Sequence, residues 1–280
     1  MTGKIVFWFI FLVVIILSLK FYLRYLENRI VFIPDRNLDY LPSEINGKWE
    51  DVYFDTNDGH RINGWFCPSE TENLVVLFFH GNAGNIGDRI WFLNSLNRIG
   101  LSVFIIDYRG YGKSRGKASE EGINTDAIGA YNYLIVERKI PEEKVVIWGT
   151  SLGGAPATYL ASTRKCKALI LFSTFTNASD MASIIMPFAP FVKFFLNVSY
   201  NNLEKIPQIG KPVLIIHAKE DRITPFWMGQ KLYEAAQEPK TFLSLYHSDH
   251  AIISEEDSKI LWDTVGEFLK EDKKEESLED

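Results

Sequence analysis

From residue 74 onward one pattern recurs: short, almost uninterrupted apolar runs separated by helical stretches. The runs are Leu74–Phe79, Ser102–Ile106, Lys144–Trp148, Lys167–Phe172, Val213–Ile216 and Thr241–Tyr246. A strand without a polar face must be covered on both sides, so these runs predict a parallel sheet with helices on each face. Upstream, Val52–Phe54 and Ile62–Phe66 flank Asn57-Asp58-Gly59 and predict an antiparallel hairpin. Near the carboxyl end Ile260, Leu261, Val265, Phe268 and Leu269 share helical spacing, which predicts a last helix against the sheet. Residues 271–280 are almost all charged and are expected to fray into solvent.

Two segments depart from this pattern. Ile5–Leu19 carries no charge and a single hydroxyl, Ser18. As a helix its 15 residues rise about 22 Å, short of a hydrocarbon layer of about 30 Å. Extended to Leu26, the helix spans if Lys20 and Arg24 snorkel to the headgroups. Because Lys20-Phe21-Tyr22-Leu23-Arg24-Tyr25 follows where a cleavage site would need small residues, the segment is expected to be an uncleaved single-pass anchor. Lys20, Arg24, Arg29 and Arg36 after the span favour a cytoplasmic domain. Asn177-Ala178-Ser179 and Asn197-Val198-Ser199 are formal glycosylation triplets pulling the other way. The second departure is an insertion at 173–212, rich in Met181, Ile184, Ile185, Met186, Phe188, Phe191, Val192, Phe194, Phe195 and Leu196. Such a stripe suits cap helices that pack on the domain, line an apolar pocket, or both. The expected organisation is an anchor at 1–26, a linker at 27–47, one domain at 48–270 containing the insertion, and a tail at 271–280.

A chain of 280 residues holds one large core. A net charge of −6 offers no basic surface, which argues against a nucleic-acid partner. Cys67 and Cys166, the only cysteines, exclude a disulfide scaffold but leave one bridge open.

Chemistry concentrates just after the strands, where ligands bind in sheets of this kind. Val145–Thr150 runs into Gly149-Thr150-Ser151-Leu152-Gly153, a Gly-x-Ser-x-Gly turn that would expose the Ser151 hydroxyl between strand and helix. Asp221 follows the fifth of the apolar runs and His250 the sixth. A serine is a weak nucleophile until an imidazole takes its proton, and the same ring can protonate the leaving group. His250 is expected in that role, with Asp221 fixing its tautomer. The backbone amides of Asn82 and Leu152 would donate to the oxyanion.

Phe79-His80-Gly81-Asn82-Ala83-Gly84-Asn85, Asp107-Tyr108-Arg109-Gly110-Tyr111-Gly112-Lys113-Ser114, Gly149–Gly154 and His217–Asp221 resemble the α/β-hydrolase superfamily, specifically its Bem46-like serine hydrolases. The resemblance covers about residues 48 to 270. It implies an α/β-hydrolase fold with a mostly parallel eight-stranded sheet, Ser151 as nucleophile with Asp221 and His250, and an oxyanion hole from Asn82 and Leu152. Members often carry an amino-terminal membrane segment, and some remove fatty acyl groups from protein cysteines. The chain departs from the family pattern at Ala218, usually glycine, and at Asp249-His250-Ala251-Ile252, where relatives commonly read Gly-His-Asn-Asp. His247 is therefore kept as the alternative imidazole.

Other readings of these residues fare worse. Gly81, Gly84 and Gly87 lack the Gly-x-Gly turn of a dinucleotide site. His247-x-x-His250 has no nearby cysteine, so neither metal nor cofactor is expected. Asp107 and Arg109 are expected to form a structural ion pair, and His80 to be a packed scaffold residue. The expectation is a membrane-anchored serine hydrolase acting on esters or thioesters of apolar acyl groups, carried by a lipid or an acylated protein. The alternatives are an amidase or peptidase of the same fold, and a silent membrane-tethered adaptor that would hold His250 away from Ser151.

Overall fold

The computed structural model describes residues 2–40, 47–71, 74–188, 196 and 198–270. In chain order the elements are α1 (Thr2–Val31), β1 (Ile33–Pro34), β2 (Glu50–Asp55), β3 (Arg61–Cys67), β4 (Val75–Phe79), β5 (Ala83–Gly84), α2 (Ile90–Arg98), β6 (Ser102–Ile106) and α3 (Glu120–Asn132). They continue with β7 (Val145–Thr150), α4 (Gly154–Thr163), β8 (Ala168–Phe172), α5 (Ala178–Ile185), α6 (Asn202–Lys205), β9 (Val213–Ala218), α7 (Phe226–Ala235), β10 (Lys240–Leu245) and α8 (Glu255–Phe268).

Eight of these strands form one sheet in the order β10-β9-β8-β7-β4-β6-β3-β2. Pairing is parallel from β10 to β6, and the hairpin β2–β3 closes the other edge antiparallel. The register pairs Val75 with both Ser102 and Val145, which puts the ends of β4 and β7 side by side. Side chains of a strand alternate between faces, and β4 shows the result. Val75, Leu77 and Phe79 enter a core shared with α3, α4 and α7, whereas Val76 and Phe78 enter one shared with α2 and α8. All five are buried, hence the absence of a polar period in the sequence. Cys67 and Cys166 fall in the two different cores as separate free thiols, and burial pushes each up to about 12.

The amino end differs from expectation. The helix expected to stop at Leu26 continues to Val31, a single element of 30 residues. Its most apolar stretch has a mean hydropathy of 2.6 and is wholly unburied, so it is long and apolar enough to cross a membrane. The segment read as a linker then forms β1 beside β5. Ile33 N–H donates to the Asn82 carbonyl at 3.1 Å, and Asp35 N–H to that of Gly84 at 3.0 Å. In the insertion, α5 and α6 are the α-helices among the described residues, and a 3-10 turn, Ile206–Gln208, follows α6; Phe191, Val192, Phe194 and Phe195, like the tail at 271–280, lie outside the described residues.

Candidate active site

The Gly-x-Ser-x-Gly segment turns from β7 into α4 through a single 3-10 turn, Ser151–Gly153. Ser151 adopts φ +52°, in the left-handed region that L residues rarely occupy and that costs about 1–3 kcal/mol. Close packing enforces the bend. A Cβ on Gly149 would lie 2.5 Å from the Gly153 carbonyl oxygen and 2.7 Å from Ala157 Cβ, and one on Gly153 would run into the Phe79 carbonyl. Thr174 Oγ1 donates to the Ser151 carbonyl at 2.8 Å, tying the turn to the loop after β8.

The three side chains come together from the ends of β7, β9 and β10. Ser151 Oγ lies 2.9 Å from His250 Nε2, and His250 Nδ1 lies 2.9 and 3.1 Å from the two Asp221 oxygens. Asp221 is buried and also accepts the amides of Ile223 (2.9 Å) and Thr224 (2.8 Å). Burial alone would raise its pKa, but the bond to His250, the imidazole's charge and these two amides outweigh it and hold the carboxyl below its usual range. The Asp221 face toward His250 requires Nδ1 to carry a proton, leaving Nε2 free to accept from Ser151. His247, the alternative imidazole, is exposed, and its backbone amide donates to Asp257.

The loop after β4 passes beside the serine: a Cβ on Gly81 would sit 3.5 Å from Ser151 Cβ. Buried Tyr108 donates to the His80 carbonyl at 2.7 Å and buried Tyr111 to that of Asn82 at 2.6 Å. With Ile33 donating to the same Asn82 carbonyl, that peptide is held from two sides. Leu152 N–H is in the first turn leading into α4, where backbone donors lack helical partners. Asn82, Ser151 and Leu152 line one cavity of about 360 Å³.

Several supporting residues escaped the sequence reading. Thr224 Oγ1 stands 2.9 Å from Asp221 Oδ2, 3.1 Å from His250 Nδ1 and 3.0 Å from the Ser173 carbonyl. Asp257, at the start of α8, accepts His247 N–H and Ser248 O–H, each at 2.7 Å, and so shapes the loop carrying His250. Asp249 accepts the amides of His250 (2.7 Å) and Arg222 (3.2 Å), which places the loop despite its departure from Gly-His-Asn-Asp. Ala218 fits at the end of β9, buried in the second core. A threonine three residues after an acid-loop aspartate gave no signal of its own, since its other partners, Ser173 and His250, lie in other loops.

Thr224→Val should lower kcat about 10- to 100-fold, because Asp221 and His250 lose a shared fixing contact, and destabilise the fold by about 1–3 kcal/mol. Ester kinetics together with thermal unfolding check this. Thr224→Ser, which keeps the hydroxyl, should restore kcat to within a few-fold.

One pairing is corrected. Arg109 does not bind Asp107; it forms buried bonds to Asp126 (2.8 and 3.0 Å) and reaches Asp58 at 2.7 Å. Asp107 instead accepts Ile86 N–H at 3.0 Å and lies 3.6 Å from His80 Nε2, while burial pushes its carboxyl above the usual range. Arg109 is taken up by two carboxylates, Asp126 and Asp58, and Asp107 by the Ile86 amide and His80, so the two charges part. His80 is fully buried and packs against the Tyr108 ring at 4.6 Å between centroids.

This geometry can be set beside known proteins. Residues 75–198 match the family model of the alpha/beta hydrolase fold. The uncharacterized protein Rv2307c of Mycobacterium tuberculosis is 32% identical over 250 residues, covering 88% of each chain. The alpha/beta hydrolase domain-containing protein WAV2 of Arabidopsis thaliana is 29% identical over 91% of each chain. The lysophosphatidylserine lipase ABHD12 of Danio rerio is 37% identical over 198 residues, covering 63% of this chain and 51% of the lipase. Among solved structures the Pyrococcus furiosus esterase Pf2001 superposes with a TM-score of 0.70 at 21% identity, over 86% of this chain and 97% of the esterase. Sheet order, serine turn and sequence likeness agree, and this chain belongs to the α/β-hydrolase family.

Proposed function

We propose that this protein is a membrane-anchored serine hydrolase that cleaves carboxylic esters or thioesters of apolar acyl groups through an acyl-serine intermediate. The observation that carries the reading is the hydrogen-bonded row Ser151–His250–Asp221 opening on the 360 Å³ cavity, whose wall includes Phe175, Met181, Ile185 and Met186. The names of the zebrafish lipase and the archaeal esterase are consistent with an ester substrate. A silent adaptor needs no imidazole within 2.9 Å of the serine hydroxyl.

In this reading His250 Nε2 takes the Ser151 proton as Oγ attacks the acyl carbonyl carbon. The carbonyl π electrons move to oxygen, where the amides of Asn82 and Leu152 donate to it. The tetrahedral adduct collapses, the bond to the leaving oxygen or sulfur breaks, and His250 returns the proton to that atom. Water then repeats the sequence on the acyl-serine, releasing the carboxylic acid and the free hydroxyl. Asp221 stays ionised throughout and stabilises the imidazolium. The basic residues after the apolar span favour a cytoplasmic domain.

The test is a matched series of oxygen esters, thioesters and amides with acyl chains from acetyl to palmitoyl. Each methylene that enters the pocket contributes about 0.8 kcal/mol, so kcat/KM should rise roughly fourfold per methylene until the cavity is full. A preference for amides, or turnover indifferent to chain length, would overturn the substrate class.

A further inference from the structure

We infer that the last turns of α1 are a specificity-determining wall of the acyl pocket, and that the pocket fills directly from the bilayer with the chain of a membrane-resident lipid ester. The chemistry at Ser151 rests on the reading above; the path of the chain does not.

Leu23, Glu27, Ile30 and Val31 all line the cavity that holds Ser151. Their spacing of four, three and one residues places them on one helical face. The helix that would anchor the protein therefore also lines its substrate site, together with Met181, Ile185 and Met186 of the insertion. Its length explains how one element does both. Thirty residues rise about 45 Å, of which a bilayer takes about 30 Å. With Lys20 and Arg24 at the headgroups, Leu23 stands at the membrane boundary, and the stretch to Val31 runs about 12 Å further along the domain.

This part of α1 is docked on the domain. Phe32 is buried against the Tyr200 ring, Ile33 pairs with Ala83, Arg24 lies 4.0 Å from Glu121, and the Lys117 ammonium sits 5.5 Å from the Tyr25 ring centre.

The cavity mouth has the character of a lipid entrance. Ile30, Ile185 and Ile223 line it while remaining 54, 56 and 55% exposed, and Phe188, just past Met186, is 98% exposed. Contiguous exposed apolar surface marks a binding face, and here it is continuous with a segment apolar enough to span. A polypeptide carrying an acyl group would need backbone hydrogen-bonding partners at such a mouth, whereas the exposed residues there, Ile30, Ile185 and Ile223, are aliphatic. The cavity volume of about 360 Å³ is room for roughly a dozen methylenes, taking a methylene as comparable to the ~30 Å³ share of a liquid water.

The experiment uses the full chain in phosphatidylcholine nanodiscs. A lysophosphatidylcholine ester with a diazirine at the end of its acyl chain is photolysed with the S151A protein, and crosslinked peptides are mapped. The expected pattern joins the lipid tail to residues 23–31 and to residues 178–186, with the second set falling at least fivefold in Ile30→Trp. Crosslinks confined to residues 3–22, or an unchanged pattern in Ile30→Trp, overturn the inference whether or not any ester is hydrolysed. In active protein, Leu23→Trp and Ile30→Trp should each lower the ratio of dodecanoyl to acetyl ester kcat/KM at least tenfold. Fluorophosphonate capture of Ser151 reports that the variants are folded. A fall in the ratio below threefold in captured protein overturns the wall, and faster turnover of an S-acyl peptide than of the nanodisc lipid overturns the lipid assignment. Wild-type protein that hydrolyses no ester would remove the functional reading instead, leaving the crosslinks to decide this one.

Discussion

Ser151→Ala is expected to abolish covalent capture by a fluorophosphonate and to lower ester kcat by roughly 10⁴- to 10⁶-fold. In the proposed mechanism the alcohol is the atom that bonds to the acyl carbon, and its neighbours at the turn offer no replacement: Gly149, Gly153 and Gly154 carry no side chain, Leu152 is apolar, and the Thr150 hydroxyl is buried, accepting from Trp148 Nε1 at 3.1 Å. The residual rate would come from the amides of Asn82 and Leu152 acting on a bound ester with water as nucleophile. Folding should be nearly unaffected. Alanine meets the same φ of +52° as serine, and the hydroxyl lost is a partly exposed one bonded at 2.9 Å to an imidazole. Thermal unfolding should therefore shift by no more than about 1 kcal/mol, which separates loss of chemistry from loss of structure. Persistent labelling of the alanine variant would mean that the nucleophile lies elsewhere.

Asp221→Asn should cost roughly 10⁴ in kcat while leaving the site packed. The Asp221 Oδ1 position accepts the amides of Ile223 and Thr224, so an asparagine would keep its oxygen there and direct its NH₂ into the Oδ2 position. That position faces His250 Nδ1 at 2.9 Å and Thr224 Oγ1 at 2.9 Å. A donor opposite Nδ1 makes that nitrogen an acceptor, moving the ring proton to Nε2. The imidazole then offers an N–H to Ser151 where the reaction needs a lone pair. Rates of fluorophosphonate capture should fall with kcat, since both require Ser151 to lose its proton. A loss of less than tenfold would show that Asp221 does not set the tautomer.

The parts of this molecule that could be read along the chain are those set by local periodicity. Continuous apolar runs marked strands buried on both faces, as Val75–Phe79 proved to be, and glycines around Ser151 marked a turn where helix and strand must cross closely. Asp221 and His250 could be picked out as candidates because each follows a strand, and parallel strands present their carboxyl ends on one side. Local rules could not supply what depends on register and sheet order. Thr224 gains its role only because β8 and β9 are neighbours, which brings the Ser173 carbonyl beneath its hydroxyl. Asp257 matters because α8 begins under the His250 loop, and Arg109 turns to Asp126 and Asp58 rather than to its near neighbour Asp107.

The amino end makes the same division most plainly. Composition determined that residues 5–19 form an apolar helix, since fifteen residues without a charge admit few other structures. Where that helix stops, what its last turns face and what the chain does next were decided by tertiary contacts: Phe32 enters the core, β1 pairs with β5, and Leu23, Ile30 and Val31 meet the cavity of Ser151. Hydrophobic periodicity tells a segment which of its faces seeks cover, but not which distant surface supplies it, because that choice is made by the packing of the whole chain.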